Sequence, residues 1–120
     1  MQVGVVTTFP KSSRLSNAAE FTAVFKNAEI NLSSGPLRIR AISNRMRCAR
    51  LGLVVSKKGN PRANRRNRLK RLIRERFRAQ RLQMPEVDIV VQVFGQIDDA
   101  QLVTLLDKQF LRIARELGSF

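Results

Sequence analysis

The basic stretch RANRRNRLKRLIRERFR, residues 62–78, carries nine arginine or lysine side chains against one glutamate. A charged run of this kind is ordinarily a solvated surface, yet hydrophobic residues recur through this one. Opposite charges four residues apart would normally stabilise such a helix, and here only Glu75 is available to neutralise it. Cations this close repel one another, so the pattern makes physical sense if phosphates supply the missing anions. We therefore predict a polyanion-binding surface.

Helical geometry divides this stretch into an apolar side and a basic side. With Leu69 at 0° and about 100° added per residue, the other apolar side chains fall within roughly 80° of it. This apolar seam consists of Leu69, Leu72, Ile73 and Phe77. Directly opposite lies a basic stripe, flanked by Lys70 and Arg68 and formed by Asn67, Arg71, Arg74 and Arg78. We expect the seam to dock on a sheet while the stripe faces outward.

Residues that usually perform catalysis or bind metals are scarce. The sequence contains no histidine, which removes the commonest general base and the commonest metal ligand. The single cysteine, Cys48, cannot form an internal disulfide or a cysteine-cluster zinc site. The nine carboxylates are scattered along the chain. We therefore predict no catalytic residue and no metal site in the protein itself.

Composition points in the same direction as the basic helix. The 120 residues carry a formal net charge of +14, and 43% of them are hydrophobic. The apolar content suits one globular domain, while the charge favours a polyanionic partner, nucleic acid first and an anionic membrane surface second. No apolar run approaches the roughly 20 residues of a membrane span, and the N-terminus does not read as a signal peptide. A cytoplasmic location is expected.

An amphipathic helix is predicted shortly before position 20. Asn17 and Glu20 have the spacing of a capping box, in which each side chain satisfies a free backbone donor of the other. Phe21, Val24 and Phe25 then recur on one helix face. Their spacing alone favours core packing of the two phenylalanines over exposure for stacking on bases.

Alternating residues predict the strands that follow. Leu37, Ile39 and Ala41 alternate with Arg38 and Arg40, which is the pattern of a strand with one wet face. The strands predicted before the basic helix cover residues 29–32, 37–44 and 50–57.

The basic helix and the next strand have recognisable limits. Asn60 can cap the helix and Pro61 suits its first position, and the helix is expected to run to about Met84. Residues 87–94, VDIVVQVF, are nearly continuously apolar, as in a strand covered on both faces.

The last predicted element is an amphipathic helix. Asp98 and Gln101 form a second capping box at its start. The order helix, three strands, helix, strand, helix indicates an α+β sandwich in which helices pack on a small sheet. We predict a loosely ordered arm over residues 1–14 and a single domain over residues 15–120.

Charge alone does not distinguish DNA from RNA as the partner. The sequence offers neither a helix-turn-helix partner for the basic helix nor a heptad extension for a zipper. A reader of RNA or of single strands would need exposed aromatic faces, and without Trp or Tyr the seven phenylalanines are the only candidates.

Several motifs together resemble one family. RRNRLKRLIRERFR (65–78) resembles the signature helix of the bacterial ribonuclease P protein subunit, whose hallmark Arg-Asn-Arg matches Arg66-Asn67-Arg68. RLSNAAEFTAVFK (14–26), RLGLVVSKK (50–58) and the closing amphipathic helix agree in order. The likeness spans about residues 9–117.

The resemblance implies a fold and a division of labour. The family's α-β-β-β-α-β-α fold has a left-handed β-α-β crossover and is similar to a ribosomal-protein domain. The family's catalyst is an RNA subunit, whose bound Mg²⁺ ions activate water to cut the 5′ leader from precursor tRNA. The protein binds that leader in a cleft between the first helix and the sheet, and its basic helix contacts the catalytic RNA. We expect Mg²⁺ to be held mainly by the RNA, and one protein monomer to bind one RNA.

The same resemblance assigns candidate RNA-binding residues. On the basic helix these are Arg62, Arg65, Arg66, Asn67, Arg68, Lys70, Arg71, Arg74 and Arg78. The leader cleft is assigned Phe21, Phe25, Arg38, Arg40, Lys57 and Lys58. Many members have an aromatic residue on the second strand where this chain has Arg38 and Arg40, so a contact between cation and phosphate is expected there in place of stacking.

Two further hypotheses compete with this one. A ribosomal or RNA-chaperone protein could use the same fold with no role in cleavage. A stand-alone nuclease is disfavoured because the sequence offers neither a histidine nor a carboxylate cluster for metal binding.

Overall fold

A mixed sheet of four strands organises the chain in a computed structural model that describes residues 14–15, 17–44 and 48–118. The strands are β1 (Ile30–Ser34), β2 (Leu37–Ser43), β3 (Arg50–Val55) and β4 (Val87–Val93). The helices are α1 (Ala18–Asn27), α2 (Ala63–Gln80) and α3 (Asp99–Leu117), and a short 3₁₀ turn, Arg81–Gln83, follows α2. The predicted α+β class and the order of helices and strands are confirmed. Residues 1–13 of the predicted arm lie outside the described residues.

The strands are arranged in the order β1-β2-β4-β3. β2 pairs antiparallel with β1 and with β4, whereas β3 pairs parallel with β4. Parallel neighbours need a crossover connection, and α2 lies within it. The left hand of this crossover stays a prediction from the family resemblance. Leu15 adds to the outer edge of β3 by donating its backbone N–H to the Leu51 carbonyl at 3.0 Å.

One face of the sheet forms the main core with α2 and α3. Three residues of the apolar seam, Leu69, Ile73 and Phe77, are completely buried there, and Leu72 is partly buried. The Phe77 ring meets Phe110 of α3 edge to face, with centroids 6.0 Å apart. Burial of each such side chain contributes about 1.5–3 kcal/mol. The core therefore fixes the rotation of α2 about its axis.

The opposite face of the sheet is covered in part by α1. Val24 packs there with Leu15 and with Val90 of β4, and Phe21 and Ile42 are partly buried against them. Side chains of β2 and β4 contribute both to this cluster and to the main core, because neighbouring residues of a strand point to opposite faces of the sheet.

Hydrogen bonds confirm two of the predicted helix starts. The Asn17 side chain accepts from the Glu20 N–H at 2.9 Å, and Asp98 accepts from the Gln101 N–H at 2.7 Å. None of the helices in the described ranges has the length and apolarity needed to cross a membrane.

The predicted limits of α2 are wrong at both ends. Arg62, not Asn60, occupies the cap position, and its side chain makes no capping hydrogen bond. Asn60 is buried instead, and its amide donates to the Gly95 carbonyl at 2.8 Å. The α-helix ends at Gln80 rather than near Met84, because its last turn tightens into 3₁₀ geometry ahead of Pro85.

Three strands also end earlier than predicted, and β2 does so by one residue, at Ser43. β3 ends at Val55, two residues before the predicted end. β4 is buried along its whole length but ends at Val93, so that Phe94 is 43% exposed.

Candidate nucleic-acid interface

The basic stripe of α2 points away from the core, as the helical arithmetic predicts. Asn67 and Arg71 are exposed and Arg74 and Arg78 are half-buried. Together with Glu75 they line one open groove. Within the described part of the chain none of these three arginines forms an ion pair. The groove therefore concentrates positive charge that a phosphate backbone could neutralise.

Arg74 joins this groove to a second, smaller pocket. Burial, and then the nearby charge of Arg14, lowers the pKa of Arg74 below its ordinary value. The pocket, of about 140 Å³, is lined by Arg14, Leu15, Phe21, Leu51, Leu53, Lys70 and Arg74. Arg74 keeps its charge at neutral pH, so an anion bound beside it would offset the repulsion from Arg14. The pocket also brings the basic helix next to Phe21 of α1.

The N-terminal part of α2 is tied to α3 through a shared carboxylate. Arg65 and Arg68 each donate to one oxygen of Asp99, both at 2.6 Å. These hydrogen bonds, from Arg68 and then Arg65, hold the pKa of Asp99 below its usual range. The Arg65 side chain remains 31% exposed and that of Arg68 57%. Both arginines thus stay accessible to solvent, but the Asp99 carboxylate already neutralises part of their charge.

The expectation that only Glu75 could neutralise the helix is wrong. Asp99 and Asp107 both belong to α3, and Asp107 accepts a two-pronged contact from Arg76, with both distances at 2.8 Å. These partners lie 31 or 34 positions from the arginines along the chain, so helix periodicity could not reveal them.

A pocket of about 510 Å³ opens beside the start of α2. Its lining includes Arg62, Arg65 and Arg68. Arg66 is directed at the same end of the helix, where it donates to the carbonyls of Asn60 and Pro61 at 3.1 and 2.8 Å. Three of the predicted RNA-binding arginines therefore converge, while Arg66 also holds the backbone that enters the helix.

The loop between β3 and α2 presents the two predicted lysines. Lys57 and Lys58 are exposed. Gly59 follows them with φ +80°, and a Cβ there would lie 2.5 Å from the Gln96 nitrogen. Only glycine fits this close approach, so the loop carrying the lysines is held against the β4–α3 loop.

Phe25 of α1 and Arg40 of β2 meet on the sheet face that α1 partly covers, where the leader cleft is predicted, and we call this side the cleft face. The Arg40 guanidinium carbon lies 5.1 Å from the centroid of the Phe25 ring, within the range of a cation–π contact. Arg40 also donates to the Gln92 side-chain oxygen at 3.2 Å. Phe25 is 37% exposed, so the core packing favoured by its spacing is wrong for this residue.

Phe21 combines contact with the core and contact with the cleft. Its ring centroid lies 6.3 Å from that of Phe25. A Cβ added to Gly52 of β3 would lie 2.7 Å from the Phe21 ring, so the ring fits only above a residue without a side chain. Core packing, as favoured by spacing, thus describes Phe21 in part.

An Arg–Asp–Glu network fixes α1 above this cleft. Arg50 donates twice to Asp88 and once to Glu20, each at 2.8 Å. The hydrogen bonds with Asp88 are the main reason that the pKa of Arg50 is raised. Because Arg50 and Asp88 are nearly buried, this network resists screening by salt better than surface pairs do.

Phe94 is an aromatic residue of the cleft face that no sequence pattern indicated. The Arg38 guanidinium carbon lies 5.7 Å from the centroid of the Phe94 ring. Phe94 was predicted as the last residue of a covered strand. Whether its ring is buried or exposed depends only on where β4 ends, and β4 ends one residue earlier, at Val93. The Arg38 Nε also donates to the Ser33 hydroxyl at 3.3 Å.

The described residues offer no protein ligand set for a metal ion. No three histidine, cysteine, aspartate or glutamate side chains among them are grouped as metal ligands would be. Asp88, Asp99 and Asp107 are each engaged by arginine, and Glu75 is a single carboxylate in the basic groove. These residues therefore provide no all-protein cage for Mg²⁺, an ion that proteins usually hold through one or two carboxylates together with water or phosphate.

Comparison with known proteins gives consistent matches. The family model described as Ribonuclease P matches residues 9–116. The structure of the Staphylococcus aureus RNase P protein is 28% identical, with 88% of this chain and 97% of that chain covered and a TM-score of 0.74. The RNase P protein from Thermotoga maritima is 33% identical, with 79% and 96% covered and a TM-score of 0.61. A mutant S. aureus RNase P protein with defective mRNA degradation activity is 26% identical, with 90% and 89% covered and a TM-score of 0.67.

Proposed function

The chain belongs to the ribonuclease P protein family, and from this premise we propose that it is the protein subunit of a bacterial ribonuclease P. RNA binding and tRNA processing are general to this family. We propose that this protein binds the catalytic RNA and the 5′ leader of precursor tRNA. It thereby assists the endonucleolytic removal of the leader, which generates the mature 5′ end.

One observation carries the proposal: the basic stripe and the aromatic cleft form neighbouring parts of one surface. Phe21 lines a pocket together with Lys70 and Arg74 of α2, and its ring neighbours Phe25. A phosphate backbone could follow the arginines while unpaired bases reach the aromatic rings. This combination suits a protein that binds structured RNA and a single strand together.

The basic stripe is assigned to the catalytic RNA. Its arginines have no carboxylate partners among the described residues, so phosphates can occupy the groove without first displacing an ion pair. If about 6–10 phosphates are engaged, affinity falls on the order of 10³–10⁵-fold between 50 and 200 mM salt. By screening phosphate repulsion, the same cations would lower the Mg²⁺ concentration that the RNA needs.

The cleft is assigned to the leader. Phe25 offers a partly exposed ring for stacking on a base, and Arg40 offers a cation beside it for a phosphate. A single strand has its base faces available, whereas a duplex does not. We therefore propose that the cleft selects precursor tRNA over mature tRNA.

The chemistry of cleavage is assigned to the RNA subunit and its Mg²⁺ ions. When bound, Mg²⁺ would activate water for phosphodiester hydrolysis. The role of this chain is to bind, orient and neutralise, and we propose a complex of one protein with one RNA in the cytoplasm.

The test is a reconstitution of the purified protein with bacterial ribonuclease P RNA and precursor tRNA at low Mg²⁺. We expect the protein to stimulate release of the leader and to leave mature tRNA unchanged. The absence of stimulation would contradict the proposal.

Two control reactions separate the competing functions. Protein without RNA, incubated with precursor tRNA and with an mRNA, tests a stand-alone nuclease; the mRNA is included because of the activity named for the S. aureus protein. Cleavage in that reaction would support the nuclease. Equal stimulation of an unrelated ribozyme would instead support a general RNA chaperone.

A further inference from the structure

Phe94 is a large aromatic residue exposed at the end of a fully buried strand. All seven residues of β4 are buried, yet Phe94, directly after them, is 43% exposed. Its backbone N–H donates to the Pro36 carbonyl at 2.8 Å. The residue is therefore held in register by the sheet and is not part of a free loop.

Strand alternation puts Phe94 on the cleft face of the sheet. Val93 belongs to the main core, so its neighbours point to the opposite side. Gln92, which accepts from Arg40, and Val90, which packs under Val24 of α1, share that side. Phe94 thus extends the same face that carries the Phe25–Arg40 pair.

Phe94 and Phe25 have the same kind of partner. Both partners are arginines of β2. The Arg38 guanidinium carbon lies 5.7 Å from the centroid of the Phe94 ring, and that of Arg40 lies 5.1 Å from the centroid of the Phe25 ring. Each guanidinium is also held by a polar side chain. Two residues along a strand span about 6.8 Å, which is comparable to one nucleotide of an extended single strand. The two arginines, each beside a phenylalanine ring, therefore lie a nucleotide-sized interval apart along β2.

We propose that Phe94 and Arg38 form a second base-stacking position for the leader, one nucleotide away from the position formed by Phe25 and Arg40. The inference rests on the proposed function and adds the residue that would hold a further leader nucleotide. A π-face stacks on any base, and the adjacent cation can contact the phosphate that follows it. Leader binding at this position is accordingly tolerant of sequence.

The experiment measures the affinity of the reconstituted holoenzyme for precursor tRNAs that carry one abasic nucleotide at successive leader positions. Wild-type protein is compared with Phe94→Ala, Phe94→Leu and Phe25→Ala. Leu111→Ala is the control, because Leu111 on α3 is similarly exposed, at 45%.

We expect Phe94→Ala to weaken binding of the intact precursor by roughly 5- to 100-fold, as removal of a stacking side chain does, and Phe94→Leu to weaken it similarly. Binding of mature tRNA and the Leu111→Ala variant should be unchanged. The effect of Phe94→Ala should vanish with the abasic nucleotide at one leader position, and that of Phe25→Ala at an adjacent position.

The outcomes separate this inference from the proposed function. If wild-type holoenzyme prefers precursor to mature tRNA and Phe25→Ala removes the preference, while Phe94→Ala binds like wild type, only the inference is overturned. The inference is also overturned if a single abasic position abolishes the effects of both Phe94→Ala and Phe25→Ala. It is overturned as well if Phe94→Ala weakens binding of mature tRNA as much as binding of precursor tRNA. If the wild-type protein creates no preference for precursor, the proposed function itself fails.

Discussion

Replacement of Asp99 by asparagine should lower the stability of the protein and raise its affinity for RNA at low salt. Asp99 accepts from Arg65 and Arg68, and partly exposed ion pairs contribute about 0.2–1 kcal/mol each. An anion in the first turn of α3 adds about 0.3–1 kcal/mol through the helix dipole. Asp99→Asn should therefore lower the free energy of unfolding by about 0.7–3 kcal/mol, and the melting temperature by about 2–15 °C.

The effect on RNA binding has the opposite sign. Without the Asp99 carboxylate, Arg65 and Arg68 are both free to contact phosphates of the catalytic RNA. Each added contact steepens the slope of log K against log salt by about 0.7–0.9, so two contacts steepen it by up to about 1.4–1.8. Binding at low salt should become tighter, and the additional loss between 50 and 200 mM salt should be about tenfold.

The assay is a salt titration of binding to ribonuclease P RNA, paired with thermal unfolding of the free protein. Asp107→Asn is the matched control, since it changes the net charge equally but releases Arg76, which lies outside the predicted RNA-binding set. If both variants gain the same affinity for the RNA, the change in net charge alone explains the gain. Weaker binding by Asp99→Asn would refute the reasoning, because Asp99 would then position the arginines for RNA instead of competing with it.

The pH dependence of this prediction follows from the lowered pKa of Asp99. A carboxyl whose pKa is lowered by folding stabilises the native state above its ordinary value of 3.8, and that contribution is lost as the pH falls through the native value. The stability difference between wild type and Asp99→Asn should therefore be full near neutral pH. It should shrink only below a pH of about 4.

Three further predictions address the two parts of the interface and its support. Arg71→Ala combined with Arg74→Ala should weaken binding of the catalytic RNA and make its salt slope shallower by about 1.4–1.8, measured by the same titration. Phe25→Ala should weaken binding of precursor tRNA by roughly 5- to 100-fold and leave mature tRNA unaffected, measured with the holoenzyme. Gly52→Ala should cost about 1–3 kcal/mol in chemical denaturation, because its methyl group would displace the Phe21 ring.

Each of these three variants has a control. For Arg71→Ala with Arg74→Ala, the control is Lys108→Ala with Arg112→Ala, which removes two cations from the exposed surface of α3. An equally shallow salt slope for this control would mean that the location of the removed cations does not affect RNA binding. Equal losses of precursor and mature tRNA would show that Phe25 has no leader-specific role. Gly95→Ala brings a methyl group only to 3.3 Å from Pro36, so it should cost less than Gly52→Ala.

Features that depend on neighbours within one or two helical turns could be predicted from the sequence. The caps of Asn17 and Asp98 and the burial of Leu69 and Phe77 are of this kind, because periodicity and capping geometry are local. Asn60 has the right type and place for a cap, but it bonds to Gly95, 35 residues away. A tertiary hydrogen bond outweighed the local preference there.

The same limit explains what was missed in the candidate site. Whether an arginine of α2 is paired or open to phosphate depends on where α3 lies, and no pattern within residues 62–78 contains that information. Phe94 reads as a core residue because it continues an apolar run, and only the end of β4 exposes it. The charge of the surface was therefore predictable, whereas the division of its arginines between folding and binding was not.

That division has a physical consequence for the way the protein responds to salt. The ion pair that fixes α1 lies in a protected place, because the side chains of Arg50 and Asp88 are only 13% and 11% exposed. Arg71, one of the cations left for RNA, is exposed and forms no ion pair with a carboxylate among the described residues. Salt screens exposed charges far more than nearly buried ones. Raising the ionic strength should thus release the RNA while α1 remains fixed over the sheet, and mutual repulsion along the stripe should ease as the same ions accumulate there. The apolar seam of α2 is what makes this possible, because burial of Leu69, Ile73 and Phe77 fixes the helix without help from its charged side.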